Sequence, residues 1–120
     1  MSATDDAKAL IASTEDLHTS LAQAWLAAVK AGNIDKAKAL KVQADRAGDD
    51  VIDANQDLLD AVDSGQDVTD LLKQITDVAT QIKQEQAKVT AGTADMTEVS
   101  GVLDTLDKAL TLANTIAKQP

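Results

Sequence analysis

A chain of 120 residues carrying a net charge of −9 has the length of a single domain, and its negative field repels phosphate backbones and anionic membranes. The absence of cysteine excludes disulfides, thiolate chemistry, zinc ribbons and covalently attached haem. The opening MSATDDAK is acidic where a secretory signal is basic, and the longest apolar run, Ala24 to Val29, is too short for a membrane span, so a cytoplasmic protein is expected.

The composition also limits the core. Of the apolar residues 22 are alanine, with no Phe or Tyr and one tryptophan, Trp25, so each helix removes only a modest apolar area from water. Helix stops divide the chain into four segments. A short phrase recurs at Val29–Gly32, Val62–Gly65 and Val89–Gly92, where glycine supplies the left-handed residue that ends a helix and the valine closes the last turn. Start signals follow each stop: Asn33, Asp67, and Asp95 with Glu98 three residues on as a capping box. The phrase is shared capping, since the segments between its copies have no other residues in common register.

The first predicted helix, Thr4–Ala31, carries Leu10, Thr14, Leu17 and Leu21 on its main seam. Beside it runs a second strip, Ile11, His18 and Trp25, and the two strips together cover roughly 160° of the helix. Either helix 1 touches two neighbours in one bundle, or this strip is a docking face with Trp25 as its anchor.

Helix 2, Ile34–Asp63, has an alanine-rich seam and, opposite it, the run Asp45, Asp49, Asp50, Asp53, Asp57, Asp60 and Asp63. On a helical wheel the two faces centre roughly 170° apart, the ordinary placement of a solvated face. The alternative is a stripe that binds a cationic surface. Gly48, inside this helix, costs about 1 kcal/mol against alanine and lies near the level of His18, where it leaves room for that ring or for a partner backbone.

Helix 3, Val68–Ala91, has the cleanest seam, Leu71, Ile75, Val78, Ile82 and Val89, interrupted at Glu85. That carboxylate is expected to lean into water at the open bundle end, with Lys41 as the alternative partner. Helix 4, Met96–Lys118, offers Val99, Leu103, Leu106 and Leu110. Connections of two to four residues make consecutive helices antiparallel, so the expected fold is all-α, an up-down-up-down four-helix bundle.

No chemistry emerges from these segments. His18 with Glu15 gives one Glu-x-x-His where a di-iron bundle needs two and further glutamates. A haem on His18 and Met96 lacks both register and aromatic lining. There is no calcium loop, phosphate-cradling glycine loop or nucleophile–base pair. The chain is therefore expected to be no enzyme and to hold no cofactor or metal.

The first expectation for function is a protein–protein interaction or assembly module, self-associating or binding a protein partner, through Ile11, His18 and Trp25. The second is a small acidic inhibitor that mimics nucleic acid and binds a basic partner through Asp49, Asp53, Asp57 and Asp60. A cofactor-binding bundle is the third.

Overall fold

The computed structural model describes residues 2–119. It contains α1 (Ala3–Lys30), α2 (Ile34–Val62), α3 (Thr69–Ala91) and α4 (Met96–Ala117), and no strand among the described residues, which is the all-α architecture that the periodicity predicts.

The helix ends follow the capping chemistry with two departures. Gly32, Gly65 and Gly92 take φ of 76°, 79° and 77°. At the first and third stops the amide five residues on closes the end, Asn33 N to Ala28 O at 2.9 Å and Thr93 N to Lys88 O at 2.9 Å. Ser2 caps α1 and Asn33 caps α2 through side-chain oxygens that accept from Asp5 N and Lys36 N. The first departure is at α3, which starts one residue later than expected. Asp67 stands outside the cap and accepts from Thr69 N at 2.9 Å and from Thr69 Oγ1 at 2.7 Å. The second is at α4, where Asp95 accepts from Thr97 N but Glu98 turns away from the capping box to Lys88, 3.4 Å distant.

Helix directions alternate, and the order around the bundle is α1, α2, α4, α3. Among the described residues α1 packs on α2 and α3, and α4 packs on α2 and α3, which leaves α1–α4 and α2–α3 as the diagonals. The neighbours α2 and α4 are parallel, since Arg46 meets Asp104 and Asp57 meets Asn114 at sequence offsets of 58 and 57. Loop length explains the order. Residues 31–33 and 92–95 join edge neighbours, whereas the six residues 63–68 cross the diagonal. An edge of about 8–10 Å makes the diagonal about 11–14 Å, within the roughly 20 Å reach of six residues.

The rod measures 52 × 23 × 18 Å. Its core combines large side chains from α1, α3 and α4, such as Leu17, Leu21, Ile75, Ile82, Leu103 and Leu106, with a row of alanines on α2, Ala37, Ala44, Ala47, Ala54 and Ala61. Small residues on α2 let α1 approach, close enough for the His18 ring to reach the α2 backbone.

The hairpins differ in length. At the α2–α4 offset, Ile34 is level with residues 91–92, so the α1–α2 hairpin overhangs the start of α4 by about four residues, about 6 Å at the helical rise. The overhang leaves a notch of about 370 Å³, floored by Ala24, Ala28, Ala31, Leu40, Val89 and Met96.

Candidate interaction surfaces

The second strip of α1 turns towards α2. Ile11 is buried, and His18 and Trp25 are half-buried. His18 Nδ1 lies 2.8 Å from the Ala44 carbonyl oxygen. A carbonyl only accepts, so this nitrogen carries the proton and donates. Beneath the ring is Gly48, where an added Cβ would stand 3.0 Å from His18 Cε1 and 3.3 Å from Nδ1. The missing side chain in α2 therefore makes room for the ring, one of the two alternatives in the sequence. Lys41 Nζ stands 5.4 Å from the Trp25 ring centroid and 3.1 Å from Asp45 Oδ2, a cation held between a π face and a carboxylate. The structure thus places His18 and Trp25 at the α1–α2 seam, each partly in reach of solvent, and buries Ile11 in the core.

The aspartate run of α2 is not one solvated face. Asp45, Asp49, Asp53, Asp60 and Asp63 are exposed, Asp57 is half-buried, and Asp50 is buried with 6 % exposure. The reason is the fourth helix: parallel α4 packs along the flank of α2 that carries Asp50 and Asp57, and it brings Asp104 and Asp107 to the same groove. Periodicity within α2 alone does not reveal which flank a neighbour covers.

Arg46 clamps the upper part of this groove. Its Nη2 donates to Asp104 and, at 2.7 Å, to Asp107 Oδ2, while Nη1 donates to the Ser100 carbonyl at 3.3 Å and to Ser100 Oγ at 3.2 Å. The two carboxylates raise the Arg46 pKa further, Asp107 first. Arg46 was not singled out by the sequence pattern. The signal that could have found it is its isolation, the one cation between Lys41 and Lys73 in a stretch dense with aspartate.

Below the clamp the groove opens into a cavity of about 380 Å³ lined by Asp50, Asp53, Asp57, Asp107, Leu110 and Asn114. Asp50 Oδ2 is enclosed and receives no hydrogen bond. Burial, and then a hydrogen bond with Asp107 that only a protonated carboxyl can donate, push the Asp50 pKa up to about 8. The nearby Arg46 offsets only part of this rise, so at neutral pH Asp50 holds a proton.

Glu85 departs from expectation. It is 4 % exposed, faces the core between Ile82 and Val89, and its Oε1 has no hydrogen-bond partner. Lys41 engages Asp45 and Trp25 on the other hairpin instead. Glu85 is not at an open end: its stretch of α3 packs beside the middle of α1, where Gln86 and Thr90 meet Ser20. Burial, and then the charge of Glu98, raise the Glu85 pKa.

The overhanging end also concentrates exposed apolar surface. Of the five exposed large apolar side chains among the described residues, Leu26, Val29 and Ile34 flank its turn. Residues 24–42 carry Lys30, Lys36, Lys38 and Lys41 against Asp35, a net +3. The rest of the chain therefore carries −12, since −9 less +3 is −12.

Among the described residues no group of His, Asp or Glu is arranged to hold a metal ion, and no helix is long and apolar enough to cross a membrane. Compared with protein-family models, curated proteins and solved structures, the chain matches none.

Proposed function

We propose that this chain is a non-enzymatic assembly module that pairs with a second copy of itself through the overhanging α1–α2 end. The observation that supports this reading is the notched end itself. An overhang beside a notch is self-complementary about a two-fold axis, because the projection of one copy fills the recess of the other. Leu26, Val29 and Ile34 add exposed apolar surface on the overhanging turn, outside the residues that line the notch. In this arrangement the acidic bodies stay far apart while the two basic ends repel, so apolar contact and not charge has to carry the pairing. Trp25, half-buried beneath Lys41 one turn below, borders this surface.

Light scattering over a range of protein concentrations tests it. A dimer that survives added salt is expected, and the double substitution Leu26→Asp with Ile34→Asp should return it to monomer with an unchanged helical circular dichroism spectrum. Both side chains are about half exposed, at 48 % and 57 %, so the fold does not depend on them. A monomer at all concentrations would sink the proposal.

A second reading rests on the acidic groove. Four aspartates from two helices line it against one arginine, which supports capture of a basic partner by an acidic decoy for nucleic acid. Such binding weakens with salt.

A further inference from the structure

We propose that the groove between α2 and α4 is a binding site for a guanidinium group, presented by an arginine side chain of a basic partner and seated among Asp50, Asp53, Asp57 and Asp107. The inference deepens the second reading above and rests on it. It adds the location and the chemistry of recognition.

An acidic cluster alone would not make a site, and two independent observations point further. The first is Asp50. A carboxyl with 6 % exposure, lining the groove and with Oδ2 receiving no hydrogen bond, is a costly thing to bury. Its neighbours on α2 and α4 are Arg46, Asp53 and Asp107, and only Arg46 is cationic. Arg46 is fully engaged with Ser100, Asp104 and Asp107 above it. The proton held by Asp50 takes the place of a missing cation, and a cation entering the groove would displace it.

The second observation is the precedent within the groove. Arg46, rooted on α2, shows that the α4 wall binds a guanidinium, forked between Ser100 and the carboxylates of Asp104 and Asp107. Lower down the groove offers carboxylates on both walls, Asn114 and Thr111 as further polar groups, and Leu110 for an aliphatic stem. Among the described residues no group of three ligands is arranged to hold a metal ion, so the site is assigned to an organic cation and not to a bare one.

The test is isothermal titration of the intact chain, at low salt, with a short arginine–glycine peptide and with its lysine–glycine counterpart. The arginine peptide is expected to bind one to one and more tightly, releasing a proton whose heat scales with buffer ionisation. Two double variants with equal charge loss then separate a site from a field. Asp53→Asn with Asp57→Asn should lower the affinity about tenfold or more, whereas Asp49→Asn with Asp60→Asn, on the exposed face of the same helix, should change it about threefold or less. The Asp50→Asn variant should bind without proton release. If both double variants lose affinity equally, or the lysine peptide binds as well, the guanidinium site is wrong while the acidic-decoy reading stands. If neither peptide binds at low salt, both fail.

Discussion

At the residue scale, Gly48 and His18 are one structural unit. A glycine in mid-helix costs about 1 kcal/mol relative to alanine, and here the cost is incurred so that an imidazole can lie against the α2 backbone and donate to Ala44. Adding a Cβ at 3.0 Å from Cε1 forces the ring to shift and strains its hydrogen bond. A double-mutant cycle should expose the pairing. Gly48→Ala alone is expected to be neutral or destabilising by about 1 kcal/mol, but in a His18→Ala background it should stabilise by about 1 kcal/mol, the ordinary propensity gain. Chemical denaturation of the four proteins measures both, and additive effects would show that the ring and the glycine are independent.

At the scale of the element, much was legible in the sequence because the signals are local. A glycine stop followed by an Asn or Asp start set the ends of α1, α2 and α4 to within a residue or two of those observed. Seam residues such as Leu17, Leu58, Ile82 and Leu103 are buried as their spacing requires. Two features were not legible, and both depend on a neighbouring helix. Asp50 occupies a flank that reads as solvated until α4 packs beside α2, and Glu85 reads as marginal until α1 packs beside its stretch of α3. A periodic pattern identifies the face of a helix that turns inward. It carries no information about which partner lies at the edges of that face, and the polar residues that matter here stand at those edges. The α1 strip of Ile11, His18 and Trp25 was equally ambiguous, since contact with a second helix and contact with a foreign partner demand the same residues.

For the whole molecule, buried acids set an unusual dependence on pH. Asp50 titrates near 8 in the fold and at 3.8 in an unfolded reference, so between these values the folded chain binds a proton that the unfolded chain does not. Lowering the pH from above 8 therefore stabilises the fold, and the contribution is lost as pH rises through 8. Glu85, also raised, acts in the same sense. Asp67 is shifted the opposite way by its bonds to Thr69, but it lies in full contact with solvent. Self-repulsion of a chain at −9 adds to the loss at high pH. Urea midpoints measured from about pH 5 to about pH 9 should fall with increasing pH, and Asp50→Asn should flatten the curve below about pH 8 and raise stability above it. An unaltered slope in that variant would mean that Asp50 is ionised throughout.

The diagonal link at residues 63–68 makes these surfaces possible. A connection of three or four residues, like the other two in the chain, would seat α3 beside α2, and the same four helices would close as a ring of sequential neighbours. Arg46 would then have no Ser100, Asp104 or Asp107 to hold, and Asp50 would face a different helix. The segment DSGQDV thus acts as a topological selector: it carries none of the recognition chemistry, yet its length decides which two acidic walls come to share a groove.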